Sequence, residues 1–265
     1  MSIFKAYDVR GLVDSEITAD FCFATGLAFA RFLQQEREPG TVVIGEDMRP
    51  SSPIFADAFS AGVTSQGMDV IRIGLASTDM LYFAAGKLNM PGAMFTASHN
   101  PAEYNGLKIM IAGETLSAEK IQSLYTRILE NDFKTGSGAS TSINIDQDYI
   151  NTIKSDINLE KELNIVIDCG NGVAGNIAPQ LFEALGVKLS KLFCLVDGRF
   201  PNHHPDPSKP KNLEDLIQEV IETKSDLGLA FDGDGDRLGL IDNKGKIIWA
   251  YQQMMLYAKD VLTRN

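Results

Sequence analysis

Residues 164–185 read NIVIDCGNGVAGNIAPQLFEAL. Asn164 to Asp168 is an apolar, β-branched run, and Ala174 to Leu185 repeats its apolar residues at helical spacing. Gly170, Gly172 and Gly175 supply the tight strand-to-helix turn between them. These glycines also match GxGxxG. No clear acid ends a strand about 20 residues further on, only Asp197 after Cys194, so they read as a packing turn and not as a dinucleotide site.

The same alternation continues in both directions. C-terminal to this stretch, Val187 to Cys194 reads as a strand and Leu213 to Glu222 as a helix. Leu227 to Phe231 and Leu238 to Asp242 read as strands around a polar loop. N-terminal to it, 18–36 reads as a helix capped by Thr18, and Thr41 to Gly45 as a short strand. Ser51-Ser52-Pro53 opens a second helix, and Asp69 to Gly74, Gly92 to Thr96 and Asn105 to Ile111 read as strands. Ser117 to Glu130 is a further helix, with Ile121, Leu124 and Ile128 on one face.

The small, polar stretch TGSGAST (135–141) reads as a linker. The sequence therefore predicts α/β architecture: two successive α/β/α layered domains with mixed sheets, plus the start of a third. The expected boundaries are 1–145, 146–248 and 249–265. The last segment is one amphipathic helix with no element to pack against, and so reads as the opening of a truncated third domain.

Composition narrows the function. The chain has 265 residues, is 44% hydrophobic and carries 24 Lys and Arg against 35 Asp and Glu, a formal net charge of −11. That balance argues against a nucleic-acid or anionic-membrane surface. It leaves room for an anionic small substrate held by a few basic side chains. Cys22, Cys169 and Cys194 are widely spaced among apolar neighbours, and read as reduced, mostly buried thiols. With no signal-like start and no long apolar run, the expected location is the cytoplasm.

Two loops carry the chemistry. Thr96-Ala97-Ser98-His99-Asn100-Pro101 follows a strand, where a rigid sheet can present side chains to a cleft. Ser98 needs activation or prior phosphorylation to act. His99 and Asn100 can donate hydrogen bonds to a phosphoserine, whereas on an extended chain His99 would face away from Ser98 and could not activate it. No GxSxG elbow is present.

Asp232-Gly233-Asp234-Gly235-Asp236-Arg237 lies between two apolar strands. Alternating carboxylates can wrap one hard cation. The EF-hand pattern fails, because Arg237 stands where its glycine belongs and Asn243 where its glutamate belongs.

Other candidates are weaker. In Tyr7-Asp8-Val9-Arg10-Gly11, Arg10 can clamp phosphate. Lys108 lies on a strand, alternating with apolar Ile109. His203-His204-Pro205-Asp206-Pro207 reads as a structured loop bordering a cleft, without the further ligands of a zinc site.

Taken together, YDVRG (7–11), TASHNP (96–101), NGLK (105–108), DCGNGVAG (168–175), PNHHPDP (201–207) and DGDGDR (232–237) make the chain resemble the N-terminal part of an α-D-phosphohexomutase, of the bacterial phosphomannomutase/phosphoglucomutase branch. The resemblance implies that Ser98 is the phosphoserine. It implies that Asp232, Asp234 and Asp236 hold one Mg²⁺ that also touches Ser98. Arg10, Lys108 and Arg237 would surround the transferring phosphoryl group, His99 and Asn100 would support the phosphoserine loop, and Tyr7, His203 and His204 would border the substrate.

The implied reaction moves phosphate between the 1- and 6-positions of a hexose phosphate through a hexose 1,6-bisphosphate. A phosphoglucosamine mutase is one alternative, and a metal- and sugar-phosphate-binding fragment without turnover is another. Such a family has four domains, so domains three and four would be missing partners. The oligomeric state is not legible.

Overall fold

A computed structural model describes residues 3–111 and 113–264. Met1, Ser2, Ala112 and Asn265, the last expected to end the C-terminal helix, lie outside the described residues. The chain divides into two compact units, one of residues 1–149 with 197–199 and one of 150–196 with 200–265.

The first unit contains β1 (Val9–Leu12), α1 (Ala19–Glu36), β2 (Thr41–Glu46), α2 (Ser52–Ser65), β3 (Asp69–Leu75), α3 (Thr78–Leu88), β4 (Gly92–Phe95), β5 (Tyr104–Ile111), β6 (Glu114–Thr115), α4 (Ala118–Glu130) and β7 (Ser140–Ser142). The helix α5 (Asp146–Asp156) contains the division between the units. Among the described residues the sheet runs β1-β5-β4-β2-β3-β7, with β6 on β5. It is mixed: β4, β2, β3 and β7 are parallel, while β5 is antiparallel to both β4 and β1.

Thr18 caps α1 by accepting the Phe21 amide. Phe29, Phe59 and Phe95 meet in one core with Ile44, Ile121 and Leu124, drawn from α1, α2, α4 and the sheet. Met94, also buried, alternates with Phe95 and so faces the sheet's other side.

Helices α1 and α2 cross at backbone distance. A Cβ on Gly62 would lie 2.3 Å from the Phe23 carbonyl oxygen, and one on Gly26 would lie 2.3 Å from that of Phe59. No rotamer change relieves a clash with backbone. Gly62→Ala is therefore expected to destabilise the first unit by about 2–3 kcal/mol, read as an earlier denaturant midpoint for that unit.

Two features depart from the sequence reading. The stretch 135–141 is no loose linker: the Gly136 and Gly138 amides donate to the Ser65 and Thr64 carbonyls at 2.8 Å each, and β7 then pairs with β3. The helix α3, which the sequence reading passed over, is capped by Ser77 and buries Met80, Leu81, Ala84 and Ala85.

The second unit contains β8 (Asn164–Asp168), α6 (Ala174–Ala184), β9 (Lys188–Leu192), a single 3-10 turn (Pro210–Leu213), α7 (Glu214–Thr223), β10 (Leu227–Phe231), β11 (Leu238–Asp242), β12 (Ile247–Ile248) and α8 (Ala250–Arg264). Its sheet runs β12-β11-β10-β8-β9, parallel across β10, β8 and β9 and antiparallel beyond.

Residues of β8 alternate between two cores. Ile165 and Ile167 pack with Ala174 and Ala178 of α6, and Val166 packs with Leu216 and Val220 of α7. Helices thus cover both faces. Along α8, Tyr251, Met254, Met255, Leu256, Val261 and Leu262 are exposed. No helix among the described residues is long and apolar enough to cross a membrane.

Candidate active site

The serine loop leaves the end of β4, and a buried ion pair beneath it fixes its shape. Arg49 and Asp47 side chains are both fully buried and pair at 3.1 Å. The Arg49 guanidinium then donates to the carbonyls of Ser98 at 2.9 Å, Asn100 at 2.7 Å, Pro101 at 2.7 Å and Tyr104 at 3.0 Å. Only a planar fork with five donors can gather so many acceptors at once. Burial pushes the Asp47 carboxyl up, while Arg49 and the Ser52 and Thr96 hydroxyls pull it back. Thr96 Oγ1 also accepts the Ser98 amide at 2.8 Å.

Held this way, Ser98 adopts φ +53°, a left-handed conformation uncommon for a non-glycine residue, and is 2% exposed. The conformation corrects the expectation about His99. The chain is not extended here, so neighbouring side chains do not point apart. His99 Nδ1 lies 3.2 Å from Ser98 Oγ, within hydrogen-bonding reach.

Arg10 Nη1 donates to Asn100 Oδ1 at 2.8 Å, and its other terminal nitrogen pairs with Asp8 at 2.8 Å. Arg10 and Asn100 therefore belong to one cluster with the loop. Lys108 Nζ lies 3.4 Å from Thr78 Oγ1, at the start of α3, and its strand position is opposite Met94. Tyr7 is 68% exposed.

In the second unit, the turn between β10 and β11 brings Asp232, Asp234 and Asp236 together. Each offers an oxygen within 4.8 Å of the others; Asp232 and Asp234 are buried and Asp236 is exposed. Gly235 takes φ +76°, which folds the loop back. Asp232 Oδ1 accepts the Arg237 amide at 3.0 Å, and Arg237 Nε is 3.8 Å from Asp232 Oδ2. Three carboxylates this close repel one another without a counter-charge. An all-oxygen donor set fits a hard divalent cation. Among the described residues no other such group of His, Cys, Asp or Glu occurs.

The glycine turn after β8 supports the aspartate loop. Val173 donates its amide to the Gly233 carbonyl at 3.1 Å, and a Cβ on Gly172 would lie 2.8 Å from that same oxygen. The sequence reading missed the centre of this support. Asp168, fully buried, accepts the Gly170 amide at 2.9 Å through Oδ1 and faces His203 Nε2 at 2.9 Å through Oδ2. His203 Nδ1 is 3.0 Å from the His204 carbonyl. Both ring nitrogens face acceptors, an arrangement that favours the doubly protonated imidazolium. His204 packs edge-on to Phe200, with ring centres 6.5 Å apart.

Burial opposes the His203 charge. The hydrogen bond and charge of Asp168, the His204 carbonyl and the charge of Asp215 outweigh it, and the ring titrates above its usual value. Its contribution to stability is full below about pH 6.5 and is lost as pH rises through the raised native value. His203→Gln should therefore cost the second unit most near pH 6, with the gap to the parent closing in alkali. Denaturant midpoints across pH check this, and a gap that widens with pH contradicts it.

Residues 1–135 match the family profile described as phosphoglucomutase/phosphomannomutase, alpha/beta/alpha domain I, and residues 147–245 match alpha/beta/alpha domain II of the same family. The chain is 48% identical over 265 residues to a phosphomannomutase/phosphoglucomutase of Pseudomonas putida, covering 100% of this chain and 57% of that protein. It is 45% identical over 266 residues to a phosphoglucomutase of Neisseria meningitidis, covering 99% and 58%. The chain thus spans little more than half the length of these curated relatives. A crystal structure of a phosphoglucomutase/phosphomannomutase family protein from Burkholderia thailandensis superposes with a TM-score of 0.95 at 41% identity, covering 99% of this chain and 59% of that one.

Proposed function

The chain belongs to the phosphoglucomutase/phosphomannomutase family, and from that premise we propose that Ser98 is the phosphoryl carrier of a hexose-phosphate mutase. Phospho-Ser98 passes its phosphoryl group to a free hydroxyl of a glucose or mannose phosphate. The Ser98 Oγ–P bond breaks as the sugar O–P bond forms, giving a hexose 1,6-bisphosphate. The other phosphate of that bisphosphate then returns to Ser98 Oγ. The observation that carries this reading is the immobilised serine: a left-handed backbone pinned by a buried arginine, with an imidazole nitrogen 3.2 Å from the hydroxyl.

Phosphoryl transfer asks for positioning and charge neutralisation more than for covalent chemistry by the protein. Asp232, Asp234 and Asp236 would hold Mg²⁺, which supplies charge to the transferring phosphoryl oxygens when bound. Arg10, Lys108 and Arg237 add positive charge, His99 and Asn100 steady the phosphoserine, and Tyr7, His203 and His204 lie in the segments that border the sugar. In this reading the family's first two domains span 1–145 and 146–248, and 249–265 opens a third. The exposed apolar side of α8 is the surface that further domains like those of the longer relatives would cover.

The test uses the protein at its natural length with glucose 1-phosphate and mannose 1-phosphate. Chelation should abolish turnover, Mg²⁺ should restore it, and Asp234→Asn should cost about 10²-fold or more. Undiminished turnover in the chelated enzyme would overturn the metal's role.

A further inference from the structure

The cysteines read from sequence as widely spaced, reduced and mostly buried thiols, yet two of them meet. Cys169 and Cys194 have their sulfurs 3.3 Å apart, and both belong to the second unit. Parallel neighbours β8 and β9 run in register to Asp168 and Leu192. Past those ends the pairing continues, with the Cys169 amide donating to the Leu192 carbonyl at 3.1 Å and the Asn171 amide to that of Phe193 at 2.8 Å. The two cysteines therefore sit on adjacent backbones with their sulfurs in contact.

We propose that Cys169 and Cys194 form a redox-active dithiol that closes to an intramolecular disulfide under hydroperoxide. The sulfurs need approach by only about 1.3 Å, within reach of side-chain rotation. Exposure sets the order of events. Cys169 is fully buried and Cys194 only half-buried, so Cys194 meets the oxidant first.

The hydrogen bond with Cys169 holds the Cys194 thiol below its usual value, against burial and the nearby Asp168 charge, and Lys191 lowers it further. The Cys194 thiol gives up its proton, its thiolate attacks a peroxide oxygen, and the O–O bond breaks; a sulfenic acid forms on sulfur, and the leaving hydroxide takes up that proton as water. Cys169 sulfur then attacks Cys194 sulfur, the S–O bond breaks, and the sulfenic oxygen leaves as a second water. Two thiols lose two electrons and two protons, and one hydrogen peroxide becomes two waters. Cys22 is a built-in control, since burial pushes its thiol up to about 12.

The inference stands apart from the mutase reading, because its readout is a covalent bond and not turnover. The protein is treated with hydrogen peroxide, unfolded, alkylated and digested without reductant. Of the three cysteines, two should become inaccessible to alkylation and Cys22 should stay free. A single cross-linked peptide should join Cys169 to Cys194, and dithiothreitol should reverse it. Cys194→Ser should leave Cys169 fully alkylatable after the same treatment. Overturning results are Cys169 and Cys194 both alkylated in the treated parent, Cys194 driven to sulfinic acid with Cys169 free, or a cross-link that includes Cys22.

Discussion

Ser98→Ala is expected to lower hexose-phosphate mutase turnover in the natural-length protein by about 10³-fold or more, with no loss of fold. The size follows from the role. A residue that forms the covalent intermediate cannot be replaced by its neighbours, and the remaining binding groups then supply only residual catalysis. The intact fold follows from the loop's construction. Arg49 binds the Ser98 carbonyl and Thr96 accepts the Ser98 amide, so the main chain is held without the hydroxyl. Activity should fall while the unfolding midpoint stays near that of the parent. A variant that loses both has lost the loop, and one that keeps turnover shows that another group carries the phosphate.

Arg49→Met is expected to be the most damaging single change to the first unit's stability, about 3–5 kcal/mol. Both side chains of the Arg49–Asp47 pair are fully buried. Removing the arginine leaves the Asp47 carboxylate without a counter-charge in the interior, held only by hydrogen bonds such as that from Ser52, and a buried charge without its ion-pair partner is costly. It also strips a donor from the carbonyls of Ser98, Asn100, Pro101 and Tyr104. Arg49→Lys keeps the charge but not the planar fork, and should recover only part of the loss. Because the lone tryptophan, Trp249, lies in the other unit, hydrogen exchange at the amides of β2 and β4 is the direct measure. Protection there should fall, whereas unchanged protection would show that the loop does not depend on Arg49.

Much of the framework was legible because local pattern and tertiary packing agree. Leu227 to Phe231 and Leu238 to Asp242 are short apolar runs bounded by polar turns, and they are strands with those limits. Thr18 caps α1 as its spacing predicts. The aspartate cluster needed no fold to be seen, since its carboxylates are alternate residues of one turn.

What was not legible depends on contacts between distant segments. Arg49 looks like an ordinary loop arginine, and its importance comes from carbonyls about fifty residues away in the chain. Asp168 ends a strand, and its partner His203 lies 35 residues further along the chain. The approach of Cys169 to Cys194 follows from β8 and β9 being parallel neighbours, which no spacing rule reveals.

His99 was misjudged for a local reason: alternation holds only for extended backbone, and Ser98 is left-handed. The helix α3 did carry a signal, with Ser77 at its cap and buried Met80, Leu81, Ala84 and Ala85 at helical spacing. Residues 135–141 have linker composition, yet their backbone hydrogen bonds tie them to the end of α2 and the edge of β3.

The central claim, that Ser98 holds the phosphoryl group in transit, is tested most directly by following the phosphate itself. Natural-length protein is freed of phosphate, mixed with glucose 1,6-bisphosphate labelled in its phosphorus, quenched and mapped by peptide. The label should sit on Ser98 alone, and should leave as labelled bisphosphate when unlabelled glucose 1-phosphate is added. Label on any other residue, or a protein that turns over substrate with Ser98 never labelled, would contradict it.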